Sequence, residues 1–187
     1  MLFRSRAVIL AMLVPVIAAF AHTMRSTTDW HWRNQRNEWQ VRRAIGEWLR
    51  DNTSADSNVL MEAIGYQGTL SGRRVIDLAG LVTPRVVELQ RESRTNAEAF
   101  AKILGEFTPD YVVLRTIEVD NNQHFYGGPL FATPEAAAAF RSSYRPVATY
   151  KAPYPELWHT GSSVTIDRKS TRLNSSHVSE SRMPSSA

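Results

Sequence analysis

Residues 58–89, NVLMEAIGYQGTLSGRRVIDLAGLVTPRVVEL, contain the pattern that decides the fold. An apolar run predicts a short buried strand at 58–63, and a second strand follows at 73–78. The glycines between these two runs indicate turns that join the strands. Thr83 followed by Pro84 predicts a helix start, because threonine caps helices and proline fits their first turn.

The alternation of helix and strand continues on both sides of this segment. Residues 96–107 predict an amphipathic helix capped by Asn96, and the β-branched run YVVL at 111–114 predicts a central strand. Thr133 and Pro134 begin a further helix, and 147–151 predicts a last strand. Strands interleaved with helices of about ten residues predict an α/β (or α+β) domain, with a small, partly parallel sheet flanked by helices.

An apolar segment, AVILAMLVPVIAAFA at 7–21, precedes the domain. It is shorter than the roughly 20 residues that a spanning helix needs. We interpret residues 6–24 as the remnant of a transmembrane helix or, alternatively, as a signal peptide with Ala19-Phe20-Ala21 as its cleavage site. A helix at 29–50 then lies within a linker assigned to residues 25–57. Trp30 and Trp32 suit an aromatic belt at a membrane interface, or simple packing.

Both ends of the chain resemble translated sequencing-library adapters. The tail at 167–187 begins DRKSTRLNSSH, which is one adapter sequence in frame, and MLFRS at 1–5 matches its partner. We therefore expect a truncated natural domain at 58–166, a foreign head, and a disordered foreign tail. The tail contributes two and the head one of the four net positive charges, so composition gives no argument for a nucleic-acid partner.

The composition also excludes several kinds of site. The absence of cysteine rules out disulfides, thiolate zinc sites and cysteine catalysis. No glycine-rich phosphate loop and no G-x-S-x-G nucleophile elbow is present. The histidines outside the tail lack metal-ligand spacing; they are His22, His31, His124 and His159. The sequence therefore predicts no metal, no cofactor and no catalytic residue.

A polar patch beside the first two strands is the candidate binding site. Its residues are Glu62, Tyr66, Arg74 and Asp77. Asp77 stands among apolar strand residues, where an unpaired carboxylate is costly. Asp77 is thus expected to pair with Arg73 or Arg74, to cap the turn at Gly80, or to contact a ligand or another domain.

Residues 61–89 resemble the soluble C-terminal region of bacterial multi-spanning GT-C glycosyltransferases, in the protein-mannosyltransferase-like superfamily that uses polyprenyl-phosphate sugars. The helix RRAIGEWLRDNT at 42–53, the IGY at 64–66 and the DYVVL at 110–114 occur in the family's order. The resemblance implies a fragment of an inner-membrane enzyme whose last membrane helix precedes a periplasmic accessory domain. The family's catalytic acidic residues lie in an earlier loop, so the fragment alone is expected to be inactive.

The resemblance also implies the partners of this domain. They are the lipid bilayer, the rest of the parent protein, and a lipid-linked sugar or its acceptor. One alternative is a secreted periplasmic α/β binding module with a cleaved signal peptide, and another is a non-enzymatic membrane protein with the same soluble tail. Basic residues after the apolar segment favour a cytoplasmic flank, in opposition to the periplasmic placement; they are Arg25, Arg33, Arg36, Arg42 and Arg43.

Overall fold

A computed structural model of the chain describes residues 2–124, 126–157 and 163–170, with side chains from Ala11 onward. The helices are α1 (Leu2–Asn37), α2 (Arg43–Asn52), α3 (Ile64–Ser71), α4 (Pro84–Arg91), α5 (Asn96–Phe107), α6 (Thr116–Asp120) and α7 (Pro134–Ser143). A π-helical turn, Glu38–Arg42, joins α1 to α2, and a 3-10 turn forms at Pro155–Leu157. The strands are β1 (Asn58–Met61), β2 (Arg74–Asp77), β3 (Tyr111–Arg115), β4 (Tyr144–Lys151) and β5 (Ser163–Lys169).

The strands form one sheet in the order β2-β1-β3-β5-β4. Strand β1 lies parallel to both β2 and β3, so that Leu60 stands beside Ile76 on one side and Val112 on the other. Strand β5 runs antiparallel to β3 and β4. The predicted α/β class, with a partly parallel sheet flanked by helices, is confirmed.

Each face of the sheet carries its own hydrophobic core, because alternate strand residues point to opposite faces. On one face, strand residues pack against α4, α5 and α7; this cluster includes Leu60, Ile76, Val112, Val86, Leu89, Phe100, Ile103 and Phe140. On the other face, the π-helical turn and α2 cover the sheet; this cluster includes Val59, Met61, Val113, Val41, Ile45 and Leu49. The sheet is therefore the middle layer between two layers of helices.

The glycine turns predicted between the first two strands are wrong, since residues 64–71 form helix α3. Parallel strands cannot be joined by a tight turn and need a crossover, which α3 supplies. Gly72 ends this helix with φ +59°, a left-handed conformation that glycine adopts at low cost. Gly46 allows α2 to lie close to α3, because a Cβ there would approach Leu70 Cβ to 2.9 Å.

Two predicted boundaries of the domain differ from the structure. The segment assigned to a linker contributes Val41, Ile45 and Leu49 to the core, so the π-helical turn and α2 are part of the folded domain. Strand β5 continues through Lys169, beyond the expected end at 166, and it lies inside the sheet between β3 and β4. Residues 171–187, for which disorder was expected, lie outside the described residues.

Two helix caps also differ from their predictions. Thr95, rather than Asn96, caps α5 by accepting the Glu98 backbone N–H. The hydroxyl of Thr83 accepts the Asp77 backbone N–H at 3.0 Å and makes no capping bond to α4. The cap predicted at Thr133 is confirmed, since its hydroxyl accepts the Ala136 N–H at 3.2 Å.

Helix α1 contains the whole apolar segment expected at 6–24. Within the part of the chain that the structure describes, no helix has the length and apolar character that crossing a membrane requires. The C-terminal end of α1 contacts the domain through Asn37, whose side-chain amide donates to the Tyr154 carbonyl at 2.7 Å. The backbone N–H of Tyr154 donates back to Asn37 Oδ1 at 2.8 Å, so the two bonds attach α1 to the domain.

Candidate functional site

The candidate site lies at the carboxyl ends of β1 and β3. After β1 the chain passes to β2 on one side of it, and it later returns to form β3 on the other side. Such a reversal in strand order leaves a crevice outside the strand ends, where ligands bind in open α/β sheets. Glu62 follows β1 directly, Arg115 is the last residue of β3, and Glu118 lies in α6.

These three side chains form a mostly buried ionic network. Arg115 Nη2 bonds a carboxylate oxygen of Glu62, and Arg115 Nη1 donates to Glu118 Oε1 at 3.3 Å. The other oxygen of Glu118 accepts the Arg115 backbone N–H at 2.8 Å. Side-chain exposure is 10% for Arg115, 4% for Glu118 and 21% for Glu62. One guanidinium therefore faces two carboxylates away from bulk water.

A cavity of about 20 Å³ adjoins this network. Its polar lining consists of Arg42, Glu62, Gln67, Arg115 and Glu118. Gln67 is only 3% exposed, and its Oε1 has no hydrogen-bond partner among the residues described. The volume is sufficient for one water-sized group.

The π-helical turn places Arg42 at this cavity. Arg42 Nη2 donates to Glu38 Oε1 at 3.2 Å, so both members of the pair lie on the same turn. Single π-helical turns occur frequently at functional sites, because the extra residue per turn shifts side chains from their ordinary helical positions. The π-helical turn and the ends of β1 and β3 therefore contribute residues to the same cavity.

The loop after α6 brings His124 and Tyr126 electrostatically close to the network. His124 is 6% exposed, and its Nδ1 accepts the Tyr126 backbone N–H at 3.1 Å, which places the proton of the neutral ring on Nε2. Burial lowers the pKa of His124, the Arg115 charge lowers it as well, and Glu62 acts in the opposite direction. Burial and the charges of Glu62 and Asp77 raise the pKa of Tyr126. Both side chains are therefore neutral at pH 7.

Asp77, one of the four predicted site residues, holds a turn together. Its carboxylate accepts the backbone N–H groups of Ala79 at 2.9 Å and Val82 at 3.0 Å. The side chain is fully buried and its two backbone bonds compensate for the lost hydration. Asp77 caps the turn that contains Gly80, as one of the sequence alternatives expected.

The other predicted residues do not form one patch. Arg74 is exposed at the opposite end of β2, where it stands beside Asn58. Tyr66 is 48% exposed on α3, and its ring meets Trp39 edge-on with centroids 5.1 Å apart. Of the predicted set, only Glu62 lines the cavity, so the patch inferred from sequence is wrong as a unit.

The sequence analysis missed Arg42, Gln67, Arg115 and Glu118. A usable signal for two of them is present, because Arg115 directly follows the apolar run YVVL and Glu118 lies three residues later. Charged side chains at the ends of buried parallel strands gather at one edge of the sheet. Gln67 and Arg42 carry no comparable signal, since only tertiary packing brings them to the cavity.

Five of the nine residues that line the cavity have polar or charged side chains. Hydrogen-bond acceptors outnumber the positive charges, and the neutral imidazole of His124 lies nearby. Over residues 2–124, 126–157 and 163–170, no cluster of three or more His, Cys, Asp or Glu side chains is arranged to hold a metal ion.

Comparison with known proteins places the folded domain in a family. No curated protein matches the sequence at a significant level. Residues 28–171 match the profile of the domain of unknown function DUF8728. The match covers most of the chain and includes the π-helical turn, α2 to α7 and all the strands from β1 to β5. The chain therefore belongs to the DUF8728 family.

Proposed function

We propose that this protein is a membrane-attached accessory domain, in which α1 inserts its apolar part into a lipid bilayer. The observation that supports the proposal is the exposure of large apolar side chains along α1. Seven of them are between 47% and 67% exposed: Met12, Leu13, Val14, Val16, Ile17, Phe20 and Met24. The domain that follows α1 does not cover this apolar surface.

The distribution of these side chains favours lipid over a protein groove. Successive helical residues are separated by about 100°, so positions 12, 13, 14, 16 and 17 spread over about 200° of the helix circumference, and Pro15, Ala18 and Ala19 occupy the remaining side. A groove covers one face of a helix, whereas lipid tails contact every face. A helix that is apolar all round is typical of a membrane or of a large protein core.

The polar end of α1 has the composition of a membrane interface. Trp30 and Trp32 are 40% and 52% exposed, and tryptophan concentrates at the level of lipid headgroups. The guanidinium of Arg36 stacks over the Trp32 ring at 4.9 Å. Arg25 and Arg36 are exposed beside the tryptophans and would attract anionic headgroups. These residues support a boundary between lipid and water near residue 25.

Replacing Ile17 with aspartate tests the attachment. A charged side chain in hydrocarbon costs about 3 kcal/mol, so we expect the bound fraction of the full chain to fall by tenfold or more. The measurement is flotation with vesicles of phosphatidylcholine and phosphatidylglycerol.

Leu81→Asp is the matched control for this experiment. Leu81 is 78% exposed in the loop between β2 and α4, so the same change there should leave flotation unaltered. Equal loss in both variants, or full binding by Ile17→Asp, would contradict the proposal.

The proposal extends to the parent protein. The resemblance of residues 61–89 to the C-terminal region of GT-C glycosyltransferases supports a bacterial inner-membrane glycosyltransferase, with this domain on the periplasmic side. The domain would close over the membrane chamber or help to admit the acceptor, while the catalytic residues belong to another part of the parent. A lipid-linked sugar or its acceptor is the ligand class that this role implies.

The genomic sequence upstream of Arg6 tests this part of the proposal. We expect an open reading frame that encodes several more apolar helices, with a pair of acidic residues in the first extracytoplasmic loop. Sequencing outward from the coding region of residues 6–166 gives the answer. A start codon and ribosome-binding site directly before the apolar segment would instead favour the secreted binding module.

A further inference from the structure

We propose that the cavity between the ends of β1 and β3 binds one protonated primary amine. The inference is independent of membrane attachment, because it depends on the cavity alone. Its site consists of Gln67, Glu62 and Glu118 as acceptors, with Arg115 between the two carboxylates. Three properties of the cavity support the proposal. One hydrogen-bond acceptor in its wall has no donor, the surrounding charge is negative, and the volume fits a small group.

The acceptor is Gln67 Oε1. Gln67 is part of the cavity wall, and this oxygen is buried and has no hydrogen-bond partner in the described part of the chain. An unsatisfied buried acceptor costs about 1–3 kcal/mol, so occupation by a hydrogen-bond donor is favourable. A primary ammonium carries three N–H donors and no acceptor, which suits this site.

The charge around the cavity favours a cation over an anion. Glu62 and Glu118 carry two negative charges, and Arg115 compensates for one of them. Arg42 also lines the cavity, but its charge is balanced by Glu38 on the same π-helical turn. The two arginines and two glutamates of the lining balance each other, and Glu38 behind Arg42 gives the five side chains together one net negative charge, which a bound ammonium would neutralise.

The size of the cavity limits the ligand to a small head group. About 20 Å³ accommodates one ammonium, which is similar in size to water, and excludes a trimethylated nitrogen. Glu62 is the most exposed member of the network, at 21%, so the carbon chain of the amine would leave the cavity beside it. The ammonium could belong to a soluble amine or to the ethanolamine headgroup of a lipid.

Titration with ethanolamine and choline tests the proposal. The full chain is held in maltoside micelles at constant ionic strength, and the side-chain amide signals of Gln67 are followed by NMR. We expect a saturable shift with ethanolamine and none with choline, which has the same charge but no N–H donor. Short-chain phosphatidylethanolamine and phosphatidylcholine distinguish the lipid source: a stronger response to the former than to free ethanolamine assigns the site to lipid, and an equal or weaker one to soluble amines.

Variants at Gln67 separate this site from other binding. Gln67→Leu should weaken ethanolamine binding by about tenfold, read from backbone signals, because the acceptor is lost. Gln67→Glu should strengthen it several-fold by adding a carboxylate, and it provides the test if the leucine variant does not fold. Gln90→Leu is the matched control, since Gln90 lies on α4 and bonds the Leu78 carbonyl outside the cavity.

The outcomes that would overturn the proposal are specific. Equal shifts with choline and ethanolamine would indicate a general charge effect. Unchanged affinity in both Gln67 variants would place the amine elsewhere. The absence of any shift would mean that the cavity holds only water.

Discussion

Replacing Arg115 with methionine is expected to lower the free energy of unfolding by about 3–5 kcal/mol at pH 7. The change removes the guanidinium that bonds both Glu62 and Glu118. Glu118 is 4% exposed, and its buried carboxylate would lose the guanidinium that bonds it.

Arg85→Met is the matched control. It shows whether the loss of stability depends on the burial of the arginine or on the number of carboxylates that it contacts. Arg85 contacts more carboxylates than Arg115 does: Glu88 at 2.9 Å, Glu106 at 2.8 Å and Glu92 at 3.4 Å. Its side chain is 42% exposed, so water and salt weaken these contacts. We expect Arg85→Met to cause only a small fraction of the loss caused by Arg115→Met.

Urea unfolding, followed by tryptophan fluorescence, measures both effects. A companion variant that also carries Glu62→Gln and Glu118→Gln should recover much of the loss, because no buried charge is left unpaired. Similar losses for Arg115→Met and Arg85→Met would show that the network at the strand ends is not energetically special.

Asp167→Asn is expected to stabilise the protein by about 2 kcal/mol at pH 7.5. Asp167 lies in β5 opposite Val112, is 2% exposed, and has an Oδ2 atom without a hydrogen-bond partner in the described residues. Burial, with a smaller contribution from the Asp120 charge, raises the pKa of Asp167 to about 6.

The direction of the pH effect follows from proton binding. Between the ordinary aspartate pKa of 3.8 and the raised value of about 6, the folded state holds more protons than the unfolded state. Stability should therefore fall as the pH rises through this interval and level off above it. In Asp167→Asn this decline should disappear, so the two proteins differ most above pH 6.

Thermal unfolding at pH 4 to 8 provides the measurement. His124 changes stability in the opposite direction, because its lowered pKa makes folding less favourable as the pH falls. Comparing the wild type with the Asp167→Asn variant cancels that contribution, since both proteins contain His124. Asp56→Asn, at an exposed position, is a control that should reproduce the wild-type curve. A pH-independent difference between the wild type and Asp167→Asn would contradict the buried-charge explanation.

Local sequence signals predicted those helices and strands that depend on residues close together in the chain. The run YVVL predicted β3 because β-branched side chains favour strands, and Thr133 with Pro134 predicted the start of α7. Helix α3 was missed because its glycines indicate turns, while the parallel pairing of β1 and β2 demands a crossover. Strand β5 was missed because its register depends on β3 and β4, which are distant in sequence.

The candidate site shows the same division. Glu62 could be identified as a candidate site residue from the sequence, because it is a charged residue that directly follows an apolar strand. Its partner Arg115 lies 53 residues away along the chain, and the contact exists only because β1 and β3 are neighbours in the sheet.

The sequence by itself determined the α/β class, the apolar segment at 7–21 and most of the helix and strand positions, because these depend on periodicity and composition over short stretches. The tertiary structure alone decided the strand order, the network of Arg115 with Glu62 and Glu118, and the burial of Gln67 and Asp167. Those features require contacts between distant segments, and no local pattern encodes which buried polar atom will find a partner.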